Sequence, residues 1–557
     1  MLSLCLIAGA PLSAQQKVTI GVDAGSIVGE MTPIWSWFGY DEPNYTYMKD
    51  GRKLLTELSK LSDNPVYIRV HNLMCTGNGE AALKWGSTNI YTEDADGNPV
   101  YSWDIVDRIF DTFIDRGLRP LVQFGFMPEA LSSNPDPYRH WWQPGRPMRE
   151  VFTGWRFPPK DYDKWRNLVT AWVTHMVDRY GKDLLDTWYW ELWNEPDIAY
   201  WGGTVEEYCK LYDYTVAGLT AILPEAKIGG PHVTCPQDVG PRAGASEEFM
   251  RFFLQHCIDG KNYVTGKKGS KLDFIAFHAK GAPVFRDGHV IMDMGRQLSC
   301  ITRGAEIINS FPSLKHLPVI IGESDPEGCA ACGMTTNPSN GYRNGTLYSS
   351  YTASSFARKY RISDNTGMNL IGAVSWSFLF EDQPWFHGFR DLATNGVDKP
   401  VLNVFRMFGK MKGDRVEVTG GTGYDYASII SGGVRGIPDV DALAALSPNS
   451  LMVMVWHYHD VDLPAQPVMV ELDIKSIPAR SATLCRFLID RDHSNSYEVW
   501  KSMNSPQNPT PEQIAILKNA GQLEQTDTPR TIAISNGNDK QRFELQRQGV
   551  TLLQYVW

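Results

Sequence analysis

The sequence has no run of about 18 apolar residues, so no transmembrane helix is expected. It has no block rich in Lys and Arg, and its 53 basic and 63 acidic residues give a net charge of −10. This balance disfavours nucleic acid as a partner, because a polyanion is bound through clustered positive charge. No Gly-rich loop follows the first apolar run, which argues against dehydrogenases and phosphate-handling enzymes.

Aromatic side chains, in contrast, are abundant: the 557 residues include 18 Trp, 24 Tyr and 23 Phe. Apolar residues make up 43% and charged residues 21%, values typical of folded globular proteins rather than of disordered chains. Aromatic rings fill large cores, and they also provide flat faces on which sugars stack. Composition alone does not choose between these two uses.

The first 14 residues resemble a secretory signal peptide. Leu2 to Ala10 are mostly apolar, and Leu12-Ser13-Ala14 is similar to a small-residue cleavage site before Gln15. No Lys or Arg precedes the apolar part, so an unprocessed apolar first strand or a start codon placed too late is the alternative. We expect residues 1–14 to be removed and the protein to be secreted or periplasmic.

Nine cysteines are too few for a disulfide scaffold in a chain of this length. Cys329 and Cys332 have the CxxC spacing, but no second pair or His ligands follow at a spacing that would complete a zinc site. A redox motif would normally open a helix in a thioredoxin-like unit. The favoured interpretation is a local disulfide or two buried thiols.

Short apolar runs alternate with amphipathic segments between residues 31 and 412. Eight such runs have the character of buried strands: Ile34–Tyr40, Val66–Met74, Arg119–Met127, Trp188–Trp193, Ala226–His232, Leu272–His278, Pro318–Gly322 and Ile371–Phe380. Helical patterns such as Ile105–Arg116 and Tyr162–Tyr180 lie between them. Eight strand–helix repeats predict an α/β fold, a closed (β/α)8 TIM barrel over residues 31–412. A doubly wound open sheet is the alternative.

The pattern changes to antiparallel strands over residues 413–557. Runs with a period of two or of apolar character are separated by turn residues: Leu451–Tyr458, Val468–Ile474, Ala482–Leu488, Thr531–Ser535 and Val550–Val556. They predict an accessory β-sandwich, which a strand within residues 15–30 is expected to join. One helix, Pro511–Ala520, is predicted with Thr510 as its N-cap and Gln513 completing a capping box.

Two carboxylates directly follow apolar strands of the predicted barrel. Glu195 ends Trp188–Glu195 on the fourth strand and Glu323 ends the seventh, and these strands face each other across an eight-stranded barrel. Active sites lie at the carboxyl ends of the strands of such barrels. A facing pair, one protonated and one ionised, is suited to glycoside hydrolysis, and Asn194 is placed to bind a sugar 2-hydroxyl.

Each of these residues also has a purely structural interpretation. A lone Glu at a strand end is more often a solvated loop residue. Glu191 lies deeper in the same strand and is expected to form a buried ion pair with Arg69. His71 and His278 have the alternative of being core histidines. The His and Glu residues stand singly without HExxH-like spacing, so neither a metal site nor a cofactor is predicted.

At these residues the sequence resembles glycoside hydrolase family 39, which includes β-xylosidases and α-L-iduronidases. The matching motifs follow in order along residues 30–412 and continue in the sandwich: 67–75, 105–111, 124–131, 158–165, 193–196, 229–231, His278, 493–500 and 505–512. The resemblance implies Glu195 as general acid/base and Glu323 as nucleophile of a retaining reaction. It also implies that Arg69, His71, Asn194 and His278 surround the sugar in subsite −1. The negative charge of Glu323 is expected to hold the pKa of Glu195 up.

Two positions depart from the pattern of the β-xylosidases in this family. Lys280 stands where those enzymes have Tyr, and the iduronidases carry a lysine there that meets the uronate carboxylate. Lys280 could instead pair with Asp382 or Glu381, which would leave a site for a neutral sugar. Asp325, two residues after Glu323, is a competing carboxylate, although strand geometry favours Glu323.

The main hypothesis is a retaining, exo-acting, β-xylosidase-like glycosidase that acts on polysaccharide-derived oligosaccharides. A uronidase like the iduronidases, or an arabinosidase or galactosidase, is the alternative within the same chemistry. A carbohydrate-binding protein without catalysis is the alternative from another class, since aromatic faces alone can bind sugars. The oligomeric state is not predicted.

Overall fold

The computed structural model describes residues 16–143, 145–237, 244–329, 331–377 and 380–557. The signal peptide predicted for residues 1–14 lies outside these residues. Within them, no helix has both the length and the apolar character needed to cross a bilayer.

The central element is a closed parallel β-barrel, as predicted. We number its strands 1 to 8 in chain order: Trp37–Tyr40, Tyr67–Val70, Arg119–Phe124, Tyr189–Leu192, Lys227–Val233, Phe274–His278, Val319–Glu323, and a divided strand 8 of Leu370–Ala373 and Ser375–Trp376. Neighbours in the sequence are neighbours in the sheet, and Ser375 pairs with Phe38 to close the ring. Nearly every strand residue is buried, because helices cover the outer face and side chains fill the interior.

Helices surround the barrel, and most begin at residues that favour a helix start. Their bounds are Lys49–Ser59, Asp104–Ile114, Tyr162–Tyr180, Lys182–Leu185, Val205–Thr220, Ala245–Asp259, Met294–Asn309, Thr346–Thr366 and Pro400–Lys410. Asp161 caps the third helix by accepting hydrogen bonds from two backbone amides, and Thr204 forms a capping box with Glu207. Three small hairpins project from the loops: Tyr91–Glu93 with Pro99–Tyr101, Val284–Arg286 with His289–Ile291, and Ala393–Thr394 with Val397–Asp398.

The accessory domain is one hydrogen-bonded sheet folded around its own core. Its strands are Lys17–Glu30, Asp414–Gly420, Asp439–Ser447, Ser450–Tyr458, Val468–Lys475, Ser481–Ile489, Glu524–Gln525, Arg530–Ala533, Asp539–Leu545 and Val550–Val556. Lys17–Glu30 pairs antiparallel with Asp414–Gly420 and parallel with Val468–Lys475. Three helices accompany the sheet: Tyr426–Gly432, Ser496–Ser502 and Pro511–Ala520. Thr510 and Gln513 form the capping box that was predicted for the last of these.

The sandwich is attached to the barrel through a buried polar contact and shared apolar packing. Arg358, on helix Thr346–Thr366, lies 2.7 Å from Asp439 of the sandwich, and both side chains are fully buried. Asp439 also accepts hydrogen bonds from Ser354 and from the Trp456 indole. Trp456 belongs to the same hydrophobic cluster as the barrel core. The two domains therefore share one continuous interior.

Two disulfides are formed, Cys235–Cys300 and Cys329–Cys332. The second is the CxxC pair, so the local disulfide is the correct one of the two interpretations favoured for it. Four other cysteines are free and buried: Cys75, Cys209, Cys257 and Cys485. Cys329–Cys332 closes a loop that directly follows strand 7 and reaches the mouth of the barrel.

Candidate active site

Strands 4 and 7 bring the two predicted carboxylates to the mouth of the barrel. Glu323 is the last residue of strand 7, where it pairs with His278 of strand 6. Glu195 follows strand 4 with a φ of +46°, and its backbone N–H donates to the carbonyl of His232. Positive φ is costly for a residue other than glycine and persists where surrounding structure enforces it. The Glu195 and Glu323 side chains are 8% and 4% exposed, so both are almost completely buried.

The separation of the two carboxylates fits a double-displacement reaction. One oxygen of Glu195, one oxygen of Glu323 and a ring nitrogen of His278 all lie within 4.8 Å of one another. Retaining glycosidases hold their carboxyl groups about 5–5.5 Å apart, whereas inverting enzymes leave about 6.5–9.5 Å for a water molecule. An oxygen pair within 4.8 Å lies closer to the separation of retaining enzymes than to that of inverting enzymes.

Lys280 joins the two carboxylates directly. Its Nζ lies 2.6 Å from Glu195 Oε1 and 2.7 Å from Glu323 Oε2. The alternative of pairing with Asp382 or Glu381 is therefore wrong, because strand 6 carries Lys280 into the barrel mouth rather than toward the loop after strand 8. The Lys280 ammonium is thus the cation that bridges the two carboxylates.

A second cation, Arg390, pairs with the same oxygen of Glu323 as Lys280 does. Its Nη1 lies 3.0 Å from Glu323 Oε2, and its Nε lies 2.5 Å from Asp325 Oδ2. The guanidinium also lies over the Trp376 ring at 4.6 Å. Asp325 further accepts the backbone N–H of Trp376. The competing carboxylate is thus committed to Arg390 and the backbone, which leaves Glu323 facing the pocket.

Arg69 organises the floor of the site. It donates from Nε to Glu191 at 2.8 Å, which is the buried ion pair expected from the sequence. Its Nη2 donates to Asn194 Oδ1 at 3.1 Å, and its Nη1 lies 3.6 Å from Glu323 Oε1. Asn194 is fixed with its oxygen toward Arg69, so its amino group is the end that meets a sugar hydroxyl.

His71 is held at the floor by Gln123 of strand 3. Its Nδ1 lies 2.9 Å from Gln123 Oε1, and the Gln123 amino group donates to Glu191. The opposite nitrogen, Nε2, lies 3.7 Å from Glu323 Oε1. His232 completes the surroundings of Glu191, with Nε2 at 2.6 Å. Sequence reasoning missed Gln123 and His232, which lie within strands rather than at their ends.

The local charges decide the protonation of the site. Burial raises the pKa of Glu195 and the charge of Glu323 raises it further, but Lys280 and His278 outweigh them and lower it to about 2. Burial likewise opposes ionisation of Glu323, yet Lys280, His278 and Arg390 hold its pKa well below the usual range. Glu323 thus acts on the pKa of Glu195 in the expected direction, but the expected net rise is not found, because Lys280 lies closer and outweighs it.

His278 is neutral in this arrangement. Burial lowers its pKa to about 3, although the two nearby carboxylates act in the opposite direction. Its Nδ1 lies 2.9 Å from Glu195 Oε1, so a neutral ring donates its proton there. His278 thereby fixes the orientation of the Glu195 carboxylate.

Asp382 is the one predicted site residue that the structure does not bring to this cluster. It lies after strand 8, is exposed and has a φ of +56°. Within the described residues its charge acts on Tyr45, Asp50 and Glu381 rather than on the paired carboxylates.

The aromatic residues of the strands separate into packing and pocket residues. Trp188 and Trp190 are fully buried and contact Phe110 and Phe124 under the helices, so they serve the core. Trp376 lies at the site, 5.2 Å from the His71 ring. A cluster of Trp85, Phe126, Trp155 and Tyr200 lines the barrel mouth beside strands 1 to 4.

Three further charged residues of the mouth escaped sequence reasoning: Asp41, Lys84 and Arg390. Asp41 directly follows strand 1, and the rule that singled out Glu195 and Glu323 applies to it equally. Lys84 and Arg390 lie in long loops without periodicity, where one sequence carries no signal of spatial position.

Comparison with known proteins shows which family the chain matches. Residues 18–539 match the Glycosyl hydrolases family 39. A β-xylosidase from Geobacillus stearothermophilus is 26% identical over 501 residues, covering 88% of this chain and 86% of that protein. Human α-L-iduronidase is 31% identical over 166 residues, covering 29% of this chain and 23% of that protein.

Solved structures show the same fold over almost the entire length. A monomeric β-xylosidase from Caulobacter crescentus CB15 superposes with a TM-score of 0.73 at 19% identity, covering 97% of this chain and 99% of that one. The family 39 enzyme from Xanthomonas axonopodis pv. citri gives 0.73 at 20% identity, covering 99% of each chain. At such identities the likeness speaks for the architecture alone.

Proposed function

The chain belongs to glycosyl hydrolase family 39, and on that premise we propose that it is a retaining, exo-acting, β-xylosidase-like enzyme. Its substrates would be oligosaccharides derived from polysaccharides, from which it removes terminal sugars. The observation that carries the proposal is the pair of buried carboxylates, Glu195 and Glu323, with oxygens within 4.8 Å at the barrel mouth. Their near-complete burial suits a pocket for one terminal sugar better than an open groove.

The first step would be attack of Glu323 on the anomeric carbon. The carboxylate forms a covalent bond to that carbon as the glycosidic bond breaks, and Glu195 gives its proton to the leaving oxygen. Arg69 and Arg390 hold Glu323 in place from two sides, so that one oxygen faces the sugar. The Asn194 amino group would meet the 2-hydroxyl, a contact that strengthens in the transition state.

In the second step Glu195 would act as a base instead of an acid. Glu195, now ionised, takes a proton from water, and the resulting hydroxide attacks the anomeric carbon as Glu323 departs. Formation of the glycosyl-enzyme neutralises Glu323, while His278 keeps hold of Glu195. Two inversions at the same carbon give net retention of configuration.

Lys280 must leave its bridging position for the first step. In its bridging position Lys280 keeps Glu195 ionised, and an ionised Glu195 has no proton to donate. A sugar entering between the carboxylates displaces the ammonium and removes the main influence that lowers the pKa of Glu195. We propose that substrate binding raises the pKa of Glu195, so that its carboxylate takes up a proton from solvent and becomes the acid.

The proposal is tested with chromogenic pentosides, hexosides and uronides. We expect cleavage of at least one class, loss of turnover in Glu323→Ala, and rescue by azide that yields a glycosyl azide of inverted configuration. Glu306→Ala, on an outer helix face, is the matched control and retains activity. Binding of a glycoside without product over long incubation would instead favour a carbohydrate-binding protein without catalysis.

A uronidase is the second candidate because two cations, Lys280 and Arg390, lie at the carboxylates. A uronate carboxylate would receive Lys280 as the lysine leaves its bridging position. The same substrate panel would show whether the protein has arabinosidase or galactosidase activity. In Lys280→Ala we expect a uronide to lose much more turnover than a neutral glycoside, whereas equal losses would contradict the carboxylate role.

We also propose that the protein is exported, with residues 1–14 removed. The apolar segment at the N-terminus supports this, as do two disulfides, which persist mainly in oxidising compartments. Sequencing the N-terminus of the protein purified from its source would show Gln15 first. An N-terminus at Met1 would contradict the proposal.

A further inference from the structure

A buried ion pair that the proposed reaction does not use lies at the end of strand 1. Asp41 directly follows the strand, and Lys84 reaches it from the loop after strand 2, with Nζ 3.1 Å from Asp41 Oδ2. Both side chains are 6% exposed. The backbone of Asp41 is fixed because its carbonyl accepts a hydrogen bond from Asn72.

This pair lies beside the reacting groups. Asp41 Oδ1 is 3.5 Å from His71 Nε2, and the same nitrogen is 3.7 Å from Glu323 Oε1. The charges of Asp41 and Lys84 both act on Tyr200, as does Glu195. The pair therefore lies at the same end of the barrel as the two carboxylates, and Asp41 and Glu323 share His71 Nε2 as a neighbour.

Lys84 has more donor capacity than its protein partners use. Its ammonium carries three N–H groups, and among the described residues one carboxylate accepts from it. Its other close neighbours are ring faces, Trp85 at 4.3 Å and Tyr200 at 5.9 Å. The backbone at Lys84 has a φ of +41°, a conformation that side-chain-bearing residues rarely adopt and that clusters at functional sites.

A purely structural role explains this arrangement poorly. Burying an ion pair costs more desolvation energy than it returns unless further hydrogen bonds complete it. The neighbouring Glu42 carboxyl does not add a second negative charge beside Lys84. Burial raises the pKa of Glu42 well above the usual range, and the charge of Asp41 raises it further. Among the described residues, Asp41 Oδ1 lies 3.5 Å from His71 Nε2 and one carboxylate accepts from Lys84, so the pair suits a ligand that both donates and accepts.

We propose that Asp41 and Lys84 bind two adjacent hydroxyl groups of the sugar in subsite −1, remote from the anomeric carbon. One hydroxyl donates to Asp41 Oδ1, and its neighbour accepts from Lys84 Nζ. The inference rests on the proposed function, since it assigns a sugar to the same cavity. It makes this pair a determinant of which sugar is accepted, because a site built to bind a hydroxyl rejects an analogue that lacks it.

The test compares the parent 4-nitrophenyl glycoside that the wild-type protein cleaves best with its 3-deoxy and 4-deoxy analogues. We expect Asp41→Asn and Lys84→Met each to lower kcat/KM for the parent about 10- to 100-fold, since each removes a charged hydrogen bond. For the deoxy analogue that lacks the bound hydroxyl, the same substitution should change kcat/KM less than threefold. Such substrate dependence does not arise from a structural role.

Asp439→Asn is the matched control, because it changes a buried, ion-paired aspartate far from the cavity. It should alter parent and deoxy substrates by the same factor. Equal losses on all substrates in both Asp41→Asn and Lys84→Met would overturn the inference while the proposed function stands. Absence of cleavage of every glycoside by the wild-type protein would overturn the proposed function and the inference together. If one variant does not fold, as judged by thermal unfolding, the other decides.

Discussion

Lys280 gives two carboxylates a common partner. Each of its contacts is shorter than 2.8 Å, and Arg390 adds a second positive charge at Glu323. The resting site is therefore organised around ionised carboxylates, whereas the reaction needs one of them protonated. Contacts with the sugar have to replace the stabilisation that Lys280 provides to the two ionised carboxylates.

Removal of Lys280 should shift the pH profile of the enzyme. In Lys280→Met the pKa of Glu195 rises, because its largest stabilising charge is lost. The protonated acid then persists to higher pH, so the basic limb of kcat/KM against pH moves upward, by about one unit or more. Lys53→Met, which removes an ion-paired lysine from an outer helix, leaves the limb in place. An unchanged limb in Lys280→Met would contradict the assigned role of the ammonium.

Lys359 is a buried lysine for which stability, rather than activity, is the natural measurement. It lies on helix Thr346–Thr366, with Ser355 Oγ at 3.3 Å and the Phe356 ring at 3.9 Å. Burial lowers its pKa to about 7, against a weaker opposing effect of Asp325. Between about pH 7 and pH 10.5, Lys359 is therefore protonated in the unfolded chain but neutral in the folded one, so the free energy of unfolding decreases as the pH falls across this range. The contribution of Lys359 to stability is present at high pH and is lost as pH falls through about 7.

We therefore expect Lys359→Met to stabilise the protein at pH 6 by roughly 1–3 kcal/mol. The gain should shrink toward pH 10, where the wild-type lysine is neutral in both states. Thermal unfolding of the two proteins between pH 6 and 10 measures this difference. Lys60→Met, at an exposed position, should show no such pH dependence. A constant difference across the range would show that Lys359 is not neutral in the folded protein.

At the scale of elements, the loop after strand 7 ties a disulfide to the active site. Arg390 donates to the carbonyl of Gly328, which precedes Cys329. Arg343 donates to the Cys329 carbonyl at 3.0 Å and pairs with Glu327 at 2.7 Å. The short Cys329–Cys332 loop thus holds one of the two cations that position Glu323.

The two disulfides should differ in what their removal changes. Cys329→Ser/Cys332→Ser loosens the hold on Arg390, so kcat/KM should fall about 3- to 30-fold, with a loss of stability of roughly 2 kcal/mol or less for so short a loop. Cys235→Ser/Cys300→Ser opens a closure of 65 residues and should cost about 4 kcal/mol while changing kcat/KM little. Kinetics and calorimetry on both double variants check this contrast. Equal kinetic losses in the two would contradict it.

The sequence predicted elements well where large apolar residues were continuous, and poorly where they were not. Barrel strands are apolar along their length because both faces are covered, so their existence was evident. Asp439–Ser447 and Asp539–Leu545 went unrecognised, since the first is dominated by small residues and the second is mostly polar. Strand 8 is divided after Ala373, and its apolar run does not predict this break.

The same reasoning explains what was predictable of the site. Glu195 and Glu323 follow their strands directly, so strand ends alone locate them. Lys280 lies between them only because closure of the barrel brings strands 4, 6 and 7 together at that depth. Arg390 approaches from a loop 14 residues beyond strand 8, and its position depends on Asp325 and Gly328 rather than on any local pattern.

At the scale of the whole molecule, the barrel and the sandwich behave as one folding unit. Arg358 and Asp439 form a fully buried pair across their boundary, and Trp456 packs into the core of the barrel. Separating the domains would expose that pair and its apolar surroundings. A barrel cut out at residues 31–412 is therefore expected to be insoluble or partly folded.

Asp439→Ala should destabilise the complete protein by about 3–5 kcal/mol, because it leaves Arg358 buried without its partner. Both domains should still melt together in a single calorimetric transition at lower temperature. Asp473→Ala, which removes an exposed aspartate paired with Lys540, should cost less than about 1 kcal/mol. Two separated transitions in Asp439→Ala would show that the domains fold independently.

The strand Lys17–Glu30 has a consequence for the order in which the protein is made. It is translated before both strands that flank it, Asp414–Gly420 and Val468–Lys475, which follow roughly 400 residues later. At about 5–20 residues per second, this β-branched segment waits for tens of seconds with both edges unpaired. An unpaired strand of this kind is a template for association with other chains. The nascent protein is therefore most exposed to aggregation at its first strand, and a chaperone that binds extended segments would have its main target there.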